Sequence, residues 1–241
     1  MKLALVACLH GNERYGIEVI NHFKNKIPFF IGNPKAVIRN CRFIDSDLNR
    51  VFPGKKDGDL EEKRALDLMN KIDDYEYILD LHSSSNDCPL FGIVTKPSKG
   101  KINFAKKLGL RRLVLMPKSF ASGKSLIDFC KCGVSLEVGP HGRKENSREV
   151  IELINNLIYG EISNKNLEIF EVFKVIKKEY KFIRIKNFQE VRENQILSED
   201  KRGFQLSREA FVPILVGEEA YKDVLCLAAR KVNLKDVESL I

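Results

Sequence analysis

Short apolar runs recur through the first two-thirds of the chain, and stretches with helical spacing separate them. The strongest runs are apolar at nearly every position, as expected for strands buried on both faces of a sheet. We predict strands at Leu3–Leu9, Tyr77–Leu81, Val134–Leu136, Phe91–Thr95, Leu113–Met116 and, from a weaker β-like pattern, Lys35–Asn40.

Four segments place apolar residues three or four positions apart, which is the spacing of an amphipathic helix. They are Glu13–Lys24, Asp59–Ile72, Lys101–Leu108 and Ser147–Tyr159. Asp59 and Ser147 are suitable N-cap residues for the helices that they begin. The alternation of strands and helices predicts an α/β fold, with a mostly parallel or mixed sheet covered by helices on both faces.

The pattern changes near Ser163 to short β-rich runs between charged turns. These runs are Ile169–Ile176, Lys181–Lys186, Phe211–Val216 and Val224–Val232. No helix of comparable length to those before residue 160 is predicted among them. We therefore predict an α/β domain at residues 1–161 and a small β-rich domain at residues 162–241.

Two histidines and a glutamate follow the predicted strands. His10 and Glu13 come directly after Leu3–Leu9, and His82 comes directly after Tyr77–Leu81. In an open α/β sheet, ligands bind just beyond the carboxyl ends of the strands. Two imidazoles and one carboxylate with a fourth position open form a catalytic zinc shell. The sequence therefore predicts one Zn²⁺ per chain, although a strand-end histidine and an acidic helix start without any ligand role give the same pattern.

Glu137 lies in an apolar run and directly precedes Val138, Gly139 and Pro140. A carboxylate is costly to bury, and desolvation raises its pKa, which suits a base that takes a proton from zinc-activated water. The alternative is a structural acid paired with a lysine. Asp80 shares a strand face with His82, and the sequence leaves open whether it supports His82 or is a buried capping group.

The segment 42–50 carries charged and amide side chains without helical or strand periodicity. Arg42, Asn49 and Arg50 can clamp a carboxylate through bidentate hydrogen bonds, and the aspartates between them would hold the arginines in place. By itself the segment equally fits a surface cluster of ion pairs. Beside a zinc shell, it indicates substrate recognition.

The composition excludes several classes of protein. Of the 241 residues, 44% are hydrophobic and 31% are charged, as in ordinary globular proteins, and no apolar run has the length of a membrane span. The net charge of +8 comes from dispersed lysines without a nucleic-acid-binding motif, so we predict neither nucleic acid nor a membrane as a partner. The six cysteines follow no framework spacing and we find no export signal, which predicts reduced thiols in the cytoplasm.

Five segments, taken together and in order, resemble the succinylglutamate desuccinylase/aspartoacylase family, which has a zinc carboxypeptidase-like fold. They are residues 10–13 (His-Gly-Asn-Glu), 42–50 (Arg-Phe-Ile-Asp-Ser-Asp-Leu-Asn-Arg), 80–82 (Asp-Leu-His), 137–140 (Glu-Val-Gly-Pro) and 216–221 (Val-Gly-Glu-Glu-Ala-Tyr). The resemblance implies zinc held by His10, Glu13 and His82.

The same resemblance implies roles for five further residues. Glu137 would act as general base and then general acid, while Arg42 would polarise the scissile carbonyl. Asn49 and Arg50 would hold the substrate carboxylate. Tyr221 would close the pocket from the C-terminal domain, which caps the active site.

The chain departs from the family at one position of substrate recognition. Aspartoacylases carry a further arginine upstream of the catalytic glutamate, and it binds a second carboxylate of the substrate. The nearest candidate here is Lys124. Because a lysine is a point charge rather than a planar fork, the resemblance does not carry N-acetylaspartate specificity over to this chain.

These observations predict a zinc-dependent amidohydrolase that deacylates a small anionic N-acyl amino acid. A zinc carboxypeptidase that acts on a short peptide or a modified tail would use the same ligands and arginines. A third hypothesis is a non-catalytic binding protein on the same fold. The sequence leaves open the acyl group, the amino acid and whether the chain forms a homo-oligomer.

Overall fold

The computed structural model describes residues 1–117, 123–160, 166–234 and 237, and this part of the chain holds five α-helices and twelve strands. The helices are α1 (Tyr15–Phe23), α2 (Pro34–Arg39), α3 (Leu60–Ile72), α4 (Lys99–Lys107) and α5 (Glu145–Tyr159). The strands are β1 (Leu3–Ala7), β2 (Phe29–Ile31), β3 (Tyr77–Ser83), β4 (Phe91–Thr95), β5 (Arg112–Met116), β6 (Cys132–Val138), β7 (Glu168–Lys177), β8 (Phe182–Ile183), β9 (Ile196–Asp200), β10 (Gly203–Leu206), β11 (Val212–Ile214) and β12 (Val224–Val232).

Nine of these strands form one mixed sheet in the order β11-β12-β7-β5-β4-β6-β3-β1-β2. The group β6-β3-β1-β2 is parallel throughout, and so is the group β4-β5-β7. The two groups meet at an antiparallel pairing of β4 with β6. This architecture confirms the predicted α/β fold with a mixed sheet.

Helices cover both faces of the sheet because successive side chains of each strand point to opposite sides. On one face, Leu5 and Leu81 pack in a core with residues of α1, α4 and α5. On the other face, Ala4 and Val6 pack with Leu68 of α3. A fully buried side chain such as Leu5 or Leu68 contributes about 1.5–3 kcal/mol through its removal from water. No helix among the described residues is long and apolar enough to cross a membrane.

The chain after residue 166 is rich in strands, as predicted. β7 pairs with β5, and β12 and β11 extend the central sheet beyond it. β8, β9 and β10 form a separate antiparallel sheet of three strands. The β-rich segment therefore contributes both to the main sheet and to a small sheet of its own, and the domain division at residue 161 stays a prediction.

Two local predictions are wrong. Lys35–Asn40 is not a strand but lies in α2, because the Asn33 side chain accepts a hydrogen bond from the backbone of Ala36 and Pro34 begins the helix. Ser147 is not an N-cap, since α5 begins two residues earlier at Glu145. The Ser147 hydroxyl instead donates a hydrogen bond to a carboxylate oxygen of Glu18 in α1, at 2.6 Å.

Glu61 anchors the segment 42–50 to the first turn of α3. Its side chain is fully buried and accepts hydrogen bonds from the backbone nitrogens of Ile44, Asp45 and Ser46, at 2.8–3.2 Å. The amide of Asn33 donates a fourth hydrogen bond, at 2.8 Å. A single carboxylate thus fixes the path of residues 44–46, which belong to no helix or strand.

We expect Glu61→Gln to lower the free energy of unfolding by about 2–4 kcal/mol, because an amide nitrogen would then face backbone donors in a buried place. Glu62→Gln is the matched control, since Glu62 lies next to it in the same turn but pairs with exposed Lys55 and the N-cap backbone. This control should lose much less, because Glu62 and its partner Lys55 lie at the surface. Urea unfolding of both variants measures the difference, and equal losses would contradict the anchoring role of Glu61.

Candidate active site

The carboxyl ends of β1 and β3 lie side by side because the two strands are parallel neighbours, with Ala7 opposite Leu81. The chain leaves β1 through Cys8, whose φ is +57°, and then turns at Gly11. A Cβ at Gly11 would lie 2.1 Å from the backbone of Ala36, so only glycine fits this turn. The turn brings His10 and Glu13 beside His82, and all three are buried.

Glu13 lies between the two imidazoles. Its Oε1 is 2.7 Å from Nδ1 of His10, and its Oε2 is 3.0 Å from Nδ1 of His82. The backbone nitrogen of Ser83 also donates to Oε2, at 3.2 Å. Each of the three side chains offers one ligand atom, and these atoms all lie within 4.8 Å of one another.

The outer nitrogen of each imidazole faces a carboxylate. Nε2 of His10 lies 3.1 Å from Asp47 Oδ1, and Nε2 of His82 lies 2.8 Å from Asp80 Oδ2. A carboxylate only accepts, so each Nε2 donates its proton outward to an aspartate. Each Nδ1 faces Glu13 and is the atom on which a metal ion would replace a proton. This is the usual support of metal-bound histidine, so the donor set fits a zinc ion.

Asp80 therefore supports His82, which resolves the alternative that the sequence left open. It is fully buried, and the Ser135 hydroxyl donates to the same oxygen at 3.0 Å. Asp47 was expected only to hold the arginines. It does bind Arg42, at 2.9 Å, but it also orients His10.

The charges of this cluster shift the pKa values of its members. Burial by itself would raise the pKa of Glu13, but the neighbouring imidazoles of His10 and His82 hold it well below its usual range. Burial would lower the pKa of His82, and the carboxylates of Asp80 and Glu13 instead raise it well above its usual range. When no metal ion is bound, protons on the imidazoles thus balance the negative charge of the carboxylates.

Glu137 lies opposite His82 in the pairing of β3 with β6. Burial, together with the carboxylates of Glu13 and Glu218, raises the pKa of its carboxyl group to about 8 against the lowering effect of His82. No hydrogen bond between this carboxylate and another described residue is present. Glu137 therefore faces the cavity as an uncommitted proton acceptor beside the ligand cluster.

The segment 42–50 forms a second side of the site. Arg42 is held by Asp47, and its Nη1 lies 4.0 Å from a Glu13 oxygen. Asn49 accepts a hydrogen bond from the backbone of Leu126 at 2.8 Å, while its side-chain nitrogen lies 3.3 Å from Nε2 of His82. Arg50 donates to the carbonyl oxygen of Asn49 at 2.6 Å.

The segment that follows β11 closes the site from the C-terminal part of the chain. Arg50 donates to the Tyr221 hydroxyl, and its guanidinium lies 5.8 Å from the centre of that ring. Glu218 accepts hydrogen bonds from the backbone and hydroxyl of Ser85, at 2.9 Å and 3.0 Å. Sequence reasoning assigned no role to Glu218, and the only signal for it was its place in the segment 216–221.

Eight of the nine predicted site residues line one cavity of about 250 Å³: His10, Glu13, Arg42, Asn49, Arg50, His82, Glu137 and Tyr221. The ninth, Lys124, is exposed and does not line this cavity. Its predicted contact with substrate therefore has no support in the described structure.

Curated relatives match parts of this chain. A probable aspartoacylase of Prochlorococcus marinus subsp. pastoris is 30% identical over 157 residues, which are 57% of this chain and 53% of that protein. A succinylglutamate desuccinylase of Shewanella pealeana is 26% identical over 223 residues, which are 74% of this chain and 65% of that protein. The chain thus spans little more than half the length of the first of these relatives.

Solved structures share the fold over nearly the whole chain. Murine aminoacylase 3 superposes with a TM-score of 0.79 at 20% identity, covering 96% of this chain and 95% of that one. A succinylglutamate desuccinylase/aspartoacylase from Rhodobacter sphaeroides gives a TM-score of 0.77 at 15% identity, covering 96% and 86%. At these identities the likeness shows the fold alone.

A sequence model of one protein family matches the segment that carries the ligand cluster and Glu137. Its description is "Succinylglutamate desuccinylase/Aspartoacylase catalytic domain", and it matches residues 1–157. This match covers more than half of the 241 residues and includes the predicted ligands, the buried glutamate and the segment 42–50. The chain therefore belongs to the succinylglutamate desuccinylase/aspartoacylase family.

Proposed function

We propose that this protein is a zinc-dependent amidohydrolase that removes the acyl group from a small N-acyl amino acid. The observation that carries the proposal is the position of Glu137, whose carboxylate faces the same cavity as the ligand cluster of His10, Glu13 and His82. A carboxyl group with a pKa near neutrality beside such a cluster has the property that a general base requires.

His10, Glu13 and His82 would hold the ion, and Asp47 and Asp80 would fix the two imidazoles. Zinc bound there would act as a Lewis acid that lowers the pKa of water and polarises an amide carbonyl. This family membership and the nature of the donor set support zinc, since both ligand nitrogens and the carboxylate suit it.

Residues of the chain would transfer the protons, stabilise the amide oxygen and bind the substrate carboxylate. Glu137 would take the proton of the attacking water and then deliver it to the departing amine nitrogen. Arg42 would donate a hydrogen bond to the amide oxygen as negative charge develops there, and Asp47 keeps its guanidinium in place. Asn49 and Arg50 would hold the carboxylate of the amino acid.

The contacts between the C-terminal part of the chain and the rest of the site favour a deacylase over a carboxypeptidase. The contact between Arg50 and Tyr221 joins the segment 42–50 to the C-terminal part of the chain. Glu218 makes a second connection through Ser85. A cavity of about 250 Å³ between these connections suits a small molecule better than an extended peptide.

We expect zinc-loaded protein to hydrolyse one or more members of a panel of acetyl-, formyl- and succinyl-amino acids, and to do so faster than short peptides. Removal of the metal by a chelator should abolish this activity, and added zinc should restore it. Metal analysis should give one zinc per chain. Cleavage of peptides alone would support the carboxypeptidase, and protein without stoichiometric metal or zinc-dependent activity would support the binding protein.

Glu137→Gln should lower kcat by about 10²–10⁴ while it leaves the zinc content unchanged, because the amide is almost the same size but cannot accept the proton. Metal content and kcat measured on the same preparation separate loss of the base from loss of the ion. Near-normal turnover by this variant would remove Glu137 from the mechanism.

The pKa of Glu137 also predicts how stability changes with pH in the metal-stripped protein. Since burial raises this pKa from 4.5 to about 8, the folded state binds a proton more tightly than the unfolded state. The contribution to stability is therefore complete below about pH 4.5 and is lost as the pH rises through about 8. Relative to Glu137→Gln, the wild type should lose on the order of a few kcal/mol between these limits.

Urea unfolding of both proteins in chelator, at pH 5.5 and again at pH 8.5, tests this expectation. The difference between the two proteins cancels the titration of groups that they share. Parallel pH profiles would show that Glu137 carries no raised pKa.

A further inference from the structure

We infer that the substrate carries an uncharged, apolar group on the side of Glu137 that lies away from the metal ligands. This inference rests on the proposed function and names the class of substrate for that site. It concerns either the side chain of the amino acid or its acyl chain, because both are attached within one or two bonds of the amide that is cleaved. The substrate would thus be an N-acyl amino acid with a single carboxylate.

The order of the strands sets where the apolar group would lie. The ligands come from the ends of β1 and β3, and Glu137 comes from β6, which is the next strand in the sheet. Beyond β6 follow β4, β5, β7 and β12. Any part of a bound substrate that extends past Glu137 therefore lies over these four strands.

Most of the side chains that these strands and their loops present to the cavity are apolar, and the hydroxyl groups of Thr95 and Ser125 lie among them. We call six of the apolar side chains the apolar wall: Ile93, Met116, Ile127, Val175, Leu215 and Leu227. Ile93, Met116 and Leu227 are each less than 10% exposed, and they belong to one core cluster with Phe91 and Phe170. This buried part of the wall is thus the surface of a packed core, against which a charged group would lose its hydration.

Among the described residues, no cation lies beside this wall to pair with a second carboxylate. The arginines that line the cavity in the described part of the chain are Arg42 and Arg50, and both belong to the segment 42–50 on the other side. Arg42 is held by Asp47, and Arg50 contacts Tyr221. Lys124, the predicted partner of a second carboxylate, is exposed outside the cavity.

Besides Glu13 of the ligand cluster, two acidic side chains face this cavity, which disfavours a dicarboxylic substrate further. Glu137 and Glu218 both line it, and their charges act on each other. A second carboxylate of the substrate would meet these acids and an apolar surface. An aliphatic or aromatic group would instead bind favourably, because its apolar surface and that of the wall would both be buried away from water.

A panel of four compounds tests the inference and distinguishes the two sources of the apolar group. One arm compares N-acetyl-L-leucine with N-acetyl-L-aspartate, which differ in the side chain. The other arm compares N-pentanoylglycine with N-succinylglycine, which differ in the acyl chain. We expect the apolar member to have the larger kcat/KM by about tenfold or more in at least one arm. A preference for the acidic member in either arm, or no preference in both, overturns the inference.

Calorimetric binding of the same compounds to zinc-loaded Glu137→Gln provides a ranking that does not need turnover. If none of the four is hydrolysed by the wild type but the apolar members bind more tightly, the proposed function fails while the recognition stands. If acidic members are hydrolysed and also bind more tightly, the proposed function stands and this inference fails.

Val175→Arg places a cation on the wall at a position where the side chain is 40% exposed, so the fold should tolerate it. The variant should shift the ratio of acidic to apolar kcat/KM by about tenfold or more toward the acidic member. Phe173→Arg is the matched control, since Phe173 lies on the same strand, is 38% exposed and does not line the cavity. A ratio that changes equally in both variants, or in neither, contradicts the inference.

Discussion

Two imidazoles and a carboxylate can lie together at a buried site only if their charges are balanced and the two imidazole rings are held in a fixed orientation. Glu13 meets both rings, and Asp47 and Asp80 hold their outer nitrogens. The positions of these groups follow from the parallel pairing of β1 with β3, which sets two strand ends side by side. The arrangement is costly for the fold unless a cation or protons neutralise the acids, so a metal ion bound by these three side chains would stabilise the fold.

The rest of the site is attached to this cluster by contacts between distant parts of the chain. Glu61 of α3 fixes the segment 42–50, which carries Arg42 and Asp47. Glu218 binds the loop that follows β3 through Ser85. These connections keep the cavity small and leave Glu137 facing it without a hydrogen-bond partner among the described residues. A carboxylate that no described side chain binds is available to accept a proton from a molecule in the cavity.

Local signals in the sequence were sufficient for much of the fold and for most of the candidate site. Apolar runs directly followed by His10 and His82 predicted the strands. They also predicted that the candidate ligands lie at the carboxyl edge of the sheet. Asp59 predicted the start of α3 correctly because a capping box is encoded within four residues. The pair Asn33-Pro34 carried an equally local helix signal, and the error at Lys35–Asn40 came from weighing β-like side chains above it.

By itself, the sequence determined that strands alternate with helices, and it predicted a set of metal ligands and a general base whose roles stay predictions. Tertiary structure alone decided that β4 pairs antiparallel with β6, that β7 and β12 continue the main sheet and that an apolar wall therefore lies beyond Glu137. It also decided that Lys124 lies outside the cavity. The reason is physical: local patterns record burial and periodicity, whereas strand order depends on the packing of segments far apart in the chain.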